Sequence, residues 1–287
     1  MHEAAVDQSL GTKNVLTSAL HFAISVETLN NPPEFANELK NSAQEQVEFM
    51  LAEDQEARLL ISDEEVRSVV KSRISDVLST FLDRLSSLLL PETDLVSGFS
   101  EDNVLQTLSD IEWLCKVLPR MELMKDLVSK WADISGKILA VAENCKFDSR
   151  LWGVKMKLAE VTGKVLEAVG YGTVVLPSRS RVCLLKTWLP FMRRLKTMLE
   201  SEGSQSGFRM DEDLCECIEG SMVSLVLTLP SDDQTEVLGE WMRGIELDQV
   251  KFPDLSEAFE VWCYRTKSAK RRLLERCDRL ATLNPAL

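Results

Sequence analysis

The chain has 287 residues, 45% hydrophobic and 28% charged, enough apolar material for one large core or two smaller ones. Its formal net charge of -13 argues against a surface built to bind nucleic-acid phosphates. Aromatic residues make up only 6%, and the apolar set is mostly Leu, Val, Met and Ala, which are helix-compatible in bulk.

Taken in chain order, the N-terminal Met1-His2-Glu3-Ala4-Ala5 lacks the basic stretch and apolar run of a signal peptide. Asn31-Pro32-Pro33 opens a helix that runs to about Leu51, since proline is tolerated in a first turn. Between Asp63 and Leu90 the apolar residues Val66, Val69, Val70, Ile74, Val77, Leu78, Phe81, Leu82, Leu85, Leu88 and Leu89 step by three and four along one helical stripe. Ser62 and Glu65 have the spacing of a capping box at its start, and Pro91 ends it. Ser100 is expected to cap a helix over Val104 to Leu118, stopped by Pro119. Helices over Met121 to Asn144 and Asp148 to Val169 follow, the second closing on Gly170 and Gly172. Pro177 to Glu200 is the next, with a kink expected at Pro190. Asp211 to Leu227, Ser231 to Met242 and Asp254 to Leu280 complete the set, with capping boxes read at Ser231/Gln234 and Asp254/Glu257. Thr173 to Leu176 is the one short run with strand character, and a single such run makes no sheet. The fold expected is all-α, a multi-helix array or bundle.

Irregular stretches fall at Pro91 to Phe99, Ser201 to Met210 and Gly244 to Pro253. The first coincides with a charge shift, because residues 1–64 carry twelve acidic and three basic side chains. Two packed helical subdomains are therefore expected: an acidic one over residues 1–94 and a second over residues 99–287. No fixed-period consensus repeat is present, which leaves a degenerate array of helix pairs open.

Residues suited to catalysis are scarce. His2 and His21 are the only histidines, and His21 sits between Leu20 and Phe22 in a helical pattern, where a structural role is expected. No CxxC or paired-histidine metal motif occurs; Cys215-Glu216-Cys217 would point its thiols apart on a helix. Gly170-Tyr171-Gly172 reads as a helix stop and not as a dinucleotide fingerprint, and Glu64-Glu65 and Asp232-Asp233 read as helix-start acids. No enzymatic activity, cofactor or metal is expected. Seven cysteines without a paired spacing suit a reducing compartment, cytoplasmic or nuclear, and no apolar run approaches the length of a membrane span.

Two features remain as binding surfaces. One is a cationic cluster, Arg265, Lys267, Lys270, Arg271 and Arg272, continued by Arg276 and Arg279, on an otherwise acidic chain. Its alternatives are a solvated helix end complementing the helix dipole, a nuclear-localisation-like patch, and a dock for an acidic segment such as the chain's own acidic N-terminal part. The other is the tryptophan set, Trp113, Trp131, Trp152, Trp188, Trp241 and Trp262, all expected in the core unless one or two serve as exposed anchors.

Several blocks carry a family resemblance. Trp188-Leu189-Pro190-Phe191 after Leu176-Pro177 and Arg181 to Leu185, Glu112-Trp113-Leu114-Cys115 with Leu118-Pro119, and Glu257 to Arg265 together resemble the C-terminal helical region of plant BTB/POZ domain-containing proteins. The resemblance runs from about Ser100 onward and, more weakly, before it. It implies a substrate adaptor for a cullin-RING ubiquitin ligase, in which a BTB domain binds the cullin and dimerises while the helical region recruits the target. Alternating strands and helices, which a BTB domain needs, are not read here. The BTB domain is therefore expected to be absent from this chain, and cullin would be reached only through it. The expected partners are proteins, with no membrane and no nucleic acid. The alternative is a free-standing helical scaffold unrelated to ubiquitin.

Overall fold

A computed structural model describes residues 2–24, 33–52, 60–89, 97–144, 151–248 and 251–283. It contains α1 (His2–Ala23), α2 (Pro33–Met50), α3 (Glu64–Ser87), α4 (Ser97–Val117) and α5 (Met124–Ala142). These are followed by α6 (Trp152–Gly170), α7 (Ser178–Ser206), α8 (Glu212–Leu227), α9 (Ser231–Asp248) and α10 (Ser256–Leu283). No strand occurs among the described residues, and Thr173 to Leu176 is turn and irregular chain. The all-α fold is thus as expected. α1 has no counterpart among the helices expected above.

The chain forms two compact units, Met1–Ala168 and Val169–Leu287. The division expected near residue 95 lies within the first unit, because α3 packs on both α4 and α5 across that point. The stripe of α3 (Val66, Val70, Ile74, Val77, Leu78, Phe81 and Leu85) is buried. Phe81 stacks on Trp131 of α5 with ring centroids 5.9 Å apart. Each large apolar side chain so buried is worth about 1.5–3 kcal/mol. α1 packs on α2 and α3, burying Leu16, Leu20 and Ala23. Polar contacts fasten α2 to α4: the Lys40 ammonium meets the Asp110 carboxylate at 2.6 Å, and Glu48 accepts from Trp113 Nε1 at 3.0 Å and from Lys116. In α6 even Lys155 and Thr162 are buried.

Start signals of the helices hold with local shifts. Asp63, not Ser62, caps α3: its backbone is extended and its carboxylate accepts from the Glu65 and Val66 amides. Gln234 is not a capping-box partner of Ser231; its buried amide donates to the Val226 and Leu227 carbonyls, so it closes the end of α8. Asp211 caps α8 through the Leu214 amide. α7 and α9 run into the irregular stretches expected from Ser201 and Gly244, ending at Ser206 and Asp248. Ser100 lies inside α4, whose first residue is Ser97.

In the second unit, α7 packs on α8 and α9, and α10 packs on the same two helices. Trp188, fully buried on α7, meets Phe191 edge-on at 5.5 Å. The last turn of α6 crosses α8 so closely that a Cβ on Gly170 would stand 2.6 Å from the Ser221 carbonyl oxygen and 3.0 Å from its Cα. Backbone atoms cannot yield as a side-chain tip can. Gly170→Ala is therefore expected to destabilise this unit by about 1–3 kcal/mol, read as a lowered urea midpoint with unchanged slope; an unchanged midpoint would mean the crossing has slack. Gly172 takes a φ of +79, which suits glycine and ends the chain's run through α6.

Candidate protein-interaction surface

The segment 251–255, which carries the chain into α10, is held from several sides. Arg193, buried on α7, donates from Nε to the Phe252 carbonyl at 3.4 Å and from Nη2 to the Trp241 carbonyl at 3.2 Å. Trp241 Nε1 donates to the Pro253 carbonyl at 2.9 Å, and Glu219 of α8 accepts from the Asp254 amide. The Lys196 ammonium lies over the Phe252 ring. Gly244 makes room for Arg193, since a Cβ there would fall 1.4 Å from Nη1. Burial pushes the Asp254 carboxyl up, but hydrogen bonds from Ser256 outweigh it and hold that carboxyl below its ordinary range. The direction in which α10 leaves the unit is therefore set by buried polar contacts among residues far apart in sequence, which no local motif announces.

Leu255 just before α10 and Ala258 in its first turn are fully buried, and Phe259 and Trp262 of α10 are half-buried and stacked at 6.0 Å. Beyond them, residues 263–267 and 269–271 are all exposed. Arg265, Lys267, Lys270 and Arg271 of the cationic cluster therefore line one exposed stretch of helix, with Arg265 Nη1 reaching the Leu227 carbonyl at the end of α8, 3.3 Å away. Arg272 is the next position of the helix; its side chain lies outside the described residues, as do those of Arg276 and Arg279. Tyr264 is 74% exposed beside them. Of the six tryptophans, five are buried and Trp262 alone is half-buried, at the foot of this stretch.

The other candidates of the sequence are dispersed. His21 is exposed on α1, edge-on to Phe22. Cys115 is buried, and burial pushes its thiol up to about 12. Cys215 and Cys217 are both half-buried. Burial raises the Cys215 thiol above its ordinary value although the Lys196 ammonium is 3.5 Å from its Sγ. His2, Cys145 and Cys277 have side chains outside the described residues. Among the described residues no three His, Cys, Asp or Glu side chains gather as a metal site. No helix there is long and apolar enough to cross a membrane.

These features define an all-α chain with a long cationic helix emerging from an otherwise acidic sequence. The chain belongs to the BTB/POZ Ankyrin-like repeat family, whose profile matches residues 41–269. It is similar to a BTB/POZ domain-containing protein of Arabidopsis thaliana, 40% identical over 275 residues that make up 93% of this chain and 60% of the relative. A second BTB/POZ domain-containing protein of the same plant is 27% identical over 64% of this chain and 32% of its own length. The chain thus spans 60% of the first relative and about a third of the second. No solved structure matches it.

Proposed function

We propose that this chain is the partner-binding part of a BTB-type adaptor of a cullin-RING ubiquitin ligase and performs no chemistry itself. The observation that carries the reading is the family match, which covers most of the chain and ends on α10. In this reading the unit Val169–Leu287, which carries α10, recruits the protein to be ubiquitinated. Cullin is reached only through a BTB domain outside these residues, in the cytoplasm, the nucleus or both. The cationic stretch Arg265, Lys267, Lys270, Arg271 and Arg272 is its docking surface. A chain of net charge -13 with an exposed cationic stretch on α10 suits a protein partner better than nucleic acid, since phosphates would meet repulsion from the remaining surface.

The test is a pull-down with a BTB-containing form of the protein beside residues 1–287 alone. Cullin is expected to be retained by the first and lost from the second. Cullin bound by residues 1–287 in isolation would overturn the assignment of that role to the BTB domain. Partners retained with no cullin in either form would favour a helical scaffold outside the ubiquitin system.

A further inference from the structure

α10 carries apolar residues at a spacing that outlasts the surface covering it. Phe259, Trp262, Ala269, Leu273, Leu280 and Leu283 step alternately by three and four, with Thr266 and Arg276 at the two remaining positions of the series. Such a 3.5-residue period keeps one stripe facing a single neighbouring helix. Up to Trp262 that neighbour exists, because α8 and α9 cover the root of α10. From Thr266 onward the helix runs about 27 Å further, at 1.5 Å per residue, and both Thr266 and Ala269 are exposed. The seam is continuous with an internal packing interface and then goes on beyond it.

Charge selects what can lie along it. The positions flanking the stripe are Arg265, Arg272 and Arg279 on one side, seven residues apart, and Cys263, Lys270 and Cys277 on the other. Neither flank holds a carboxylate. Glu275 and Asp278, the acids in this half of the helix, take register positions away from the seam, as do Lys267 and Arg271. A second copy of α10 would set arginine flanks against lysine, which disfavours self-pairing. A phosphate polymer would gain from the cations and leave the apolar stripe unused. We infer that α10 from Thr266 onward is a docking strand for a partner helix with an apolar 3-4 stripe and acidic flanks, paired as a two-stranded coiled coil. This rests on the protein-binding part of the reading above and not on its link to ubiquitin.

The probe is a synthetic labelled helix of about four heptads with Leu at the seam and Glu on both flanks, titrated with the full chain and followed by fluorescence anisotropy. One-to-one binding is expected. Lys270→Glu with Arg272→Glu, on the flanks, should weaken it at least about tenfold. Lys125→Glu with Lys137→Glu, the same charge change at exposed positions of α5, should weaken it by less than about threefold. Circular dichroism of both variants, altered at surface positions, should match the parent. Equal weakening by the two variants, or equal binding of a scrambled peptide of the same composition, would overturn the inference in favour of unspecific attraction. Tighter binding of a short DNA duplex would also overturn it, as would a dimer of the chain that Ala269→Glu dissociates. Peptide binding with no cullin retained by the BTB-containing form would sink the ligase reading alone; the reverse outcome would sink this inference alone.

Discussion

Trp131→Ala and Trp188→Ala are each expected to cost about 3–5 kcal/mol, the range for removing a fully buried aromatic ring. Both indoles are fully buried, one stacked on Phe81 and the other edge-on to Phe191. Losses of this size rival much of the stability of an ordinary domain, typically about 5–15 kcal/mol. Peptide-resolved hydrogen exchange should place the loss within residues 1–168 for the first variant and within 169–287 for the second, following the two compact units. A loss below about 1 kcal/mol in either would show that the ring is not the keystone its burial implies.

Asp110→Ala is expected to cost about 3 kcal/mol near neutral pH, because it leaves the Lys40 ammonium in a nearly closed site between α2 and α4. Asp110→Asn keeps an oxygen that can accept from Lys40 and should cost less. Burial pushes the Asp110 carboxyl above its ordinary value, against the opposing pull of Lys40, Gln106 and Arg84. The sign of the pH dependence follows from that raised value. Between the unfolded value of 3.8 and the higher folded one, the native state binds more protons than the unfolded state. The stabilisation from this group is thus fully present below 3.8 and is lost as pH rises through the folded value. Urea unfolding at a series of pH values should show wild type gaining on Asp110→Asn as pH falls through that window. A gap that instead widens with rising pH would contradict the assignment.

Much of the fold was legible because apolar residues at steps of three and four leave few alternatives to a helix. Val66 to Leu85 spell out the buried face of α3 in the sequence itself. Caps were legible to within a residue: Ser62 and Asp63 both offer a side-chain oxygen, and only the extended backbone at Asp63 decides between them. The ends of α7 and α9 were hidden because Ser and Gly weaken a helix by modest amounts that tertiary context overrides. The grouping into units was hidden for a different reason. A proline-led loop and a charge shift near residue 95 mark a local change of composition, while the packing of α3 against α4 and α5 spans it.

The candidate surface was legible as composition alone. The cluster from Arg265 to Arg272 stands out on an acidic chain, yet its exposure depends on where α8 and α9 stop covering α10. Trp262 could not be singled out from five other tryptophans with similar neighbours. Nor does any local signal join Arg193, Trp241, Gly244 and Phe252, which meet only because three separate elements converge on the root of α10.

Whether the chain works through α10 is tested most directly by quantitative affinity purification with a BTB-containing form of the protein as bait in a cell extract, beside its Lys270→Glu, Arg272→Glu variant. Cullin should remain at the same level in both, while the protein targets held by the parent should disappear from the variant. An identical set of targets in the two purifications would contradict the account.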